Sequence, residues 1–272
     1  MVGAAILIAD LFLPVAGQLR SASGREFRTT VWISNVAPRR TTVRATFLER
    51  HPLKAAPVPV TFDLGPGETK EIDDLPTQFR RPGVLGAIRF ESPDPIAVVA
   101  HIFSPESIGN GLTAVSEDAA LKKGDEGVLP GVTYDASGDF RQTTYLVETS
   151  GRPAGMFVRL RDANGRELAH DSFLLEPYEH RVLRIAELAR QTFVRNGSLS
   201  IRVAGGSGRV YAIGLQIPNR SGGGYFVEMS IKRSRTPAFS AAEIAIDLLT
   251  ALAVIASVGF AIFSRRAPPG RM

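Results

Sequence analysis

The chain has 272 residues, no cysteine and a formal net charge of +5, with 44% apolar against 22% charged residues. That balance describes one or two folded domains, each long enough to bury a core unaided, and excludes a largely disordered protein. Lack of cysteine excludes disulfide frameworks, thiolate metal sites and cysteine nucleophiles, and basic residues spread along the chain without one patch or a binding motif leave only a weak nucleic-acid signature.

The first residues, MVGAAILIADLFLPVAG (1–17), are apolar but have no basic start, and Asp10 interrupts them. A secretory leader has a positive start and an unbroken apolar run. FLPV (12–15) has a counterpart in VLPG (128–131) and is predicted to be the first strand. Three readings stay open: a start upstream of Met1, a degenerate export signal, or a tail-anchored protein with its domains in the cytoplasm.

SGREFRTTVWI (23–33) follows, and SGDFRQTTYLV (137–147) nearly repeats it, 113 residues on from Phe27 to Phe140. Further echoes keep the same order. LGPGE (64–68) answers LEPYE (175–179), and DDL (73–75) answers AEL (186–188). GAIRFES (86–92) answers SLSIRVA (198–204), and PIAVVAHIF (95–103) answers GRVYAIGLQI (208–217). A collinear series of this kind marks an internal duplication. It predicts two homologous units, residues 1–122 and 123–236, and a terminal piece, 237–272. SEDAALKKGDEG (116–127), charged and poor in large apolar residues, reads as the connection between them.

Each unit reads as β. TTVWISN and TTVRATFLER mix β-branched and aromatic residues in partial alternation, the period of a half-buried strand. In MFVRLRDANGRELAHDSFLLEP (156–177) two alternating runs flank DANG, and Asn164-Gly165 is expected to supply the positive φ of a tight hairpin. Turn residues at short intervals (APRR, GPGE, SPDP, GGSG, SGGG) complete the pattern of an antiparallel sandwich. Helix is expected only in IAELARQTF (185–193) and at the C-terminus. The predicted fold class is mainly β: two tandem antiparallel β-sandwich domains followed by one C-terminal transmembrane helix.

From Ile244 to Phe263 the sequence is IAIDLLTALAVIASVGFAIF. Twenty residues in a helix reach about 30 Å, the thickness of a hydrocarbon core. Ile244, Leu248, Leu249, Leu252, Val254, Ile255, Val258, Phe260, Ile262 and Phe263 would form the membrane anchor, and Ala251, Gly259 and their small neighbours would allow close helix packing. Arg265 and Arg266 abut the span, whereas Lys232, Arg233 and Arg235 stand further upstream. The abutting pair favours a cytoplasmic tail with the sandwiches outside.

Reactive motifs are sparse. No nucleophile elbow, P-loop, HExxH or EF-hand loop occurs. GGSG (205–208) and SGGG (221–224) lie between strands and read as turns, since a phosphate cradle feeds a helix. His51, His101, His170 and His180 have neither metal-ligand spacing nor a partnered nucleophile. His101 reads as a strand histidine with a local hydrogen-bond partner. Asp73-Asp74 reads as a turn cap, and Glu117, Asp118, Asp125 and Glu126 as a solvated linker. The matched positions are Phe27 with Phe140, Arg28 with Arg141, and Trp32 with Tyr145. The aromatics are expected to pack in the core or between sheets, and the arginines to form salt bridges at sandwich ends.

The layout resembles tandem immunoglobulin-like β-sandwich modules of bacterial envelope proteins. More loosely, "LP…G…FRTT…N" followed by "LxPGE" resembles repeats of large secreted bacterial proteins. The resemblance covers most of residues 10–228 and implies an exported, non-catalytic module. The expected function is a single-pass, membrane-anchored protein acting in adhesion, scaffolding or as an accessory subunit of an envelope complex. Its partners would be membrane lipid and envelope proteins, with no cofactor, nucleic acid or small-molecule substrate. The alternatives are a sandwich-fold hydrolase using acidic loop residues, and a cytoplasm-facing tail-anchored subunit.

Overall fold

The computed structural model describes residues 9–20, 26–50, 58–79, 83–104, 107–135, 140–190, 193–218 and 224–233. Among them the chain is mainly β, with two short helices. The first half runs β1 (Ala9–Gly17), β2 (Leu19–Arg20), β3 (Glu26–Asn35), β4 (Thr41–Glu49), β5 (Val60–Leu64), β6 (Thr69–Ile72), α1 (Leu75–Gln78), β7 (Leu85–Ser92), β8 (Ile96–Ser104), β9 (Ser107–Thr113) and β10 (Val115–Ser116). A 3-10 turn, Glu117–Ala119, leads on. The second half runs β11 (Glu126–Asp135), β12 (Phe140–Glu148), β13 (Ala154–Arg161), β14 (Glu167–Leu175), β15 (His180–Arg184), α2 (Ile185–Ala189), β16 (Phe193–Gly206), β17 (Val210–Pro218), β18 (Tyr225–Glu228) and β19 (Ser230–Lys232).

The duplication in sequence is a duplication of topology. In the first half one sheet has the order β10-β1-β7-β4-β5, and β6 joins β3-β8-β9 in the other. In the second half the orders are β19-β11-β16-β13-β14 and β15-β12-β17-β18. Every strand from β11 to β19 thus takes the place of one in the first half, and all the pairings are antiparallel. The first strand of each half pairs with the penultimate long strand (β1 with β7, β11 with β16), so the order differs from the ABED/CFG arrangement of the immunoglobulin sandwich.

Alternation places the cores. Val31 and Ile33 on β3 face Ile88 and Phe90 on β7 across the first sandwich, all fully buried. Leu146, Met156, Val158, Leu160, Leu199 and Ile201 do the same in the second. Inward side chains at alternate positions are what the period-2 pattern requires.

Two local expectations change. The β13–β14 connection is not a two-residue turn: it spans Asp162–Arg166, closed by Asp162 N to Arg166 O at 2.9 Å and Gly165 N to Asp162 O at 3.0 Å. Only Gly165 has positive φ, at 82°. The Asp162 carboxylate accepts from Asn164 N and Arg166 N, each at 2.9 Å, and this Asx cap stabilises a wider turn than Asn-Gly alone suggests. The helix expected over 185–193 stops at Ala189, because Arg190 turns left-handed (φ 48°) and β16 begins at Phe193.

Candidate functional site

The repeated phrase is where each sandwich is tied together. Thr29 Oγ1 donates to Gly17 O and accepts from Gly17 N, both at 2.9 Å, holding the end of β1. At the matching position Gln142 Oε1 accepts from Thr133 N on β11 at 3.3 Å. The last residue of the phrase gathers the loops at the opposite end. Asn35 Nδ2 donates to the carbonyls of Arg39 (2.7 Å) and Gly65 (2.8 Å), and its Oδ1 accepts from Ala37 N at 3.0 Å. Glu148, fully buried, accepts from Ser150 N and Oγ, Gly151 N, Arg152 N, Tyr178 N and Arg209 N at 2.6–3.2 Å.

The turn after β5 and β14 is duplicated as well. Glu68 Oε2 accepts from Gly65 N at 2.6 Å, and Glu179 Oε2 accepts from Glu176 N at 2.8 Å. Gly67 has φ 69° and its counterpart Tyr178 has φ 58°, so a bulky residue is held in the left-handed region. That costs roughly 1–2 kcal/mol. What offsets it lies in the first half: the Arg89 guanidinium sits 4.8 Å from the centroid of the Tyr178 ring.

Tyr178 and Arg89 belong to a seam between the halves. Pairing places Phe12 opposite Arg89 and Leu48 opposite Ala87, on the outward face of the first half's five-stranded sheet. Phe12, Leu48 and Ala87 are nevertheless buried. On the second half, Tyr145, Val147, His180, Tyr211 and Ile213 share the outward face of the four-stranded sheet, and all are buried too. β1 touches β12 and β17 across this boundary. Arg50 bridges His180 in parallel register, and Leu121 pairs with Val210 through N–H···O bonds of 2.8 and 2.9 Å. The two sandwiches are stacked back to back in four sheet layers.

Ion pairs flank the seam where it is partly exposed. Arg89 forms a fork to Asp10 (2.8 and 2.6 Å) and a contact to Glu91 at 3.2 Å, which raises its pKa although burial opposes the charge. Burial pushes the Tyr145 phenol up to about 12, with Arg141, Arg50 and Arg184 pulling the other way, and Tyr145 stacks on His180 at 5.8 Å. Tyr211 is likewise pushed up to about 12 by burial, with Glu228 adding to it. The 116–127 segment is not a free solvated linker. Arg209 contacts Glu117 and Asp118 at 3.2 Å, and Arg233 reaches Asp125 (2.6 Å), Ala120 O (2.9 Å) and Asp118 O (2.8 Å).

The matched aromatics therefore do not share one environment. Tyr145 is buried in the seam, Trp32 is half-buried on an open sheet face beside Val99, Phe27 is half-buried, and Phe140 is exposed at a sandwich end. The expectation that all four pack in the core or between sheets describes Tyr145 but does not distinguish it from Trp32, although the two occupy equivalent outward positions of which only one is covered. Arg28 lies 3.5 Å from Glu26 on its own strand, and Arg141 is exposed.

His101 stacks on Phe103 at 5.4 Å in β8, and His170 meets Glu167 at 2.7 Å. Asp73 accepts from Thr30 Oγ1 at 3.1 Å; Asp74, at the start of α1, makes no side-chain cap, and it is its carbonyl that accepts from Thr77. These histidines and acids are not brought together, and among the described residues no group of three or more could hold a metal. His51, the apolar segment 244–263, Arg265 and Arg266 lie outside the described residues. Among those described, no helix is long and apolar enough to cross a membrane.

Comparison with protein-family models, with curated proteins and with solved structures finds no match to this chain.

Proposed function

We propose that this protein is a membrane-anchored, non-catalytic recognition module of a bacterial envelope, with two sandwiches joined into one stack and displayed on the extracytoplasmic side by the apolar segment 244–263. The observation that carries this reading is the polarity of the stack. One terminal layer leaves Trp32, Val99 (44% exposed), His101 and Phe103 on the open outward face of β3 and β8. The opposite terminal layer contains β19, from which the chain leaves toward the apolar segment. An aromatic, weakly charged surface on the layer opposite the one from which the chain exits suits a protein partner, with the aromatic side chains as binding anchors.

Two experiments test the two parts. Protease added to intact spheroplasts digests the sandwiches if they face outward; full protection overturns that topology and favours the cytoplasm-facing arrangement. Mild-detergent purification of the native protein retains a partner that Trp32→Ala combined with Val99→Asp releases at unchanged melting temperature. Retention of every partner by that variant removes the recognition role from this face.

A further inference from the structure

The two halves match strand for strand, yet the outward face covered in the first half is remade in the second. Leu48, Ala87 and Arg89 correspond by register to Arg159, Ser200 and Arg202. Where Phe12 stands opposite Arg89, Glu126 stands opposite Arg202. The face is thus changed from an apolar docking surface into a polar one carrying Arg159, Arg161, Arg202 and Lys232 against Glu126 and Glu167. Arg159 lies 2.9 Å from Glu167, and Arg161 Nη1 donates to Ser200 Oγ at 3.1 Å, so both guanidinium groups lie along the sheet. A terminal layer needs a polar outer face simply to stay in water, but that requirement does not set the sign.

From this remade surface we infer that the outward face of β14-β13-β16-β11-β19 rests on anionic lipid headgroups. This inference rests on the anchored reading above. Two observations select lipid. Basic residues outnumber acidic ones on this face, whereas the opposite terminal layer shows Trp32 and Val99 at its centre. The chain also leaves the fold from this same sheet: Lys232 ends β19, and ten residues (234–243, with Arg235) lead to Ile244. Eleven residue steps reach at most about 40 Å, so in the anchored arrangement this layer is the one tethered most directly to the bilayer. Basic side chains within a Debye length of an anionic leaflet are attracted to it.

The test uses the full chain, whose lack of cysteine makes Ser230→Cys, exposed on this face, a unique labelling site. The bimane-labelled protein is mixed with vesicles of phosphatidylcholine alone, or with added phosphatidylglycerol, each carrying a headgroup nitroxide quencher, and vesicles are recovered by flotation. The expected result is flotation with both, and quenching that appears with phosphatidylglycerol and falls by about half in high salt. Lys232→Glu and, separately, Arg159→Gln/Arg202→Gln lower the quenching while unfolding stays cooperative. Flotation with both vesicles but equal quenching overturns the lipid contact and leaves the anchor standing. Flotation only with phosphatidylglycerol, reversed by salt, supports the basic face and overturns the anchor. Flotation with neither overturns both.

Discussion

Asn35 and Glu148 stand at the same place in the two halves, 113 residues apart, and each ties the loop that follows it to the turn before β6 or β15 with opposite chemistry, Glu148 also reaching Arg209 N. Asn35 donates to carbonyls, whereas Glu148 accepts from N–H and O–H groups. Exchange is therefore not conservative. Glu148→Gln turns an NH2 group toward N–H donors and is expected to cost about 2 kcal/mol or more in chemical denaturation. Asn35→Asp, which places a carboxylate against carbonyl oxygens, is expected to cost at least as much. A midpoint unchanged in either variant would remove the loop-gathering role.

Tyr178 pays for its contact with Arg89 in backbone strain, which its counterpart Gly67 avoids. Tyr178→Gly removes both contributions and is expected to change stability by less than about 1 kcal/mol, whereas Tyr178→Val keeps the strain, adds β-branching and loses the ring. Gly67→Ala is destabilising by about 1 kcal/mol through φ alone, since a Cβ there meets nothing within 4 Å. Thermal melts of the three variants separate these effects.

Leu48→Arg installs in the first half what the second already carries at Arg159. In the seam that arginine lands on a closed apolar surface, and a loss of about 3 kcal/mol is expected. Because the residue points away from the first sandwich's own core, the cost falls on the seam. Calorimetry is expected to show one transition for the native protein and two for Leu48→Arg. A single transition in the variant, at an unchanged temperature, would show that the halves are not coupled through this face.

Tyr145 and Tyr211 have folded pKa values of about 12, above the ordinary phenol value of 10.0. The folded state thus holds these protons more tightly than the unfolded chain, so stability is full below about pH 10 and declines as pH rises toward 12. Burial also raises the Tyr178 phenol, so of the five tyrosines Tyr145, Tyr211 and Tyr178 are expected to ionise late in an absorbance titration at alkaline pH. Replacing Tyr145 and Tyr211 with phenylalanine should flatten the loss of stability over that interval.

Asp74 and Asp94 give opposite signs in acid. Burial raises the Asp74 pKa above 3.8, so its charge opposes folding at neutral pH and the penalty fades as pH falls through its folded value. Asp74→Asn, which tolerates the left-handed φ of 48°, is expected to stabilise the protein at neutral pH and to lose that advantage in acid. The Arg39 hydrogen bond lowers the Asp94 pKa, so its stabilisation is present above 3.8 and lost as pH falls through the folded value. Asp94→Asn is expected to destabilise at neutral pH and to converge with the native protein in acid. Urea midpoints across the acid range read both.

The mainly β character and the matching of strands between the halves were legible because the echoes of FRTT, LxPxE and IRF carry their spacing with them; strand order was not, since an echo says which strands correspond and not which ones pair. The seam was hidden by the same regularity. Alternation says which residues share a face, not whether something lies over it, so Trp32 and Tyr145 look alike in sequence. One signal was available: VYAIGL (210–215) is apolar at consecutive positions, the mark of a strand buried on both sides. Its counterpart PIAVVAHIF shares that mark without being covered on its outward face, so the signal alone would have misplaced the seam. Glu148 was missed because a carboxylate ending a strand looks solvated until six donors converge on it.

The Leu121–Val210 ladder and the Arg233 clasp fasten the connecting segment at points on either side of the exposed pair Lys122-Lys123. Trypsin cutting there would sever the polypeptide without undoing the seam. Its two fragments carry complementary surfaces, so after such a cut they are expected to leave a gel-filtration column together.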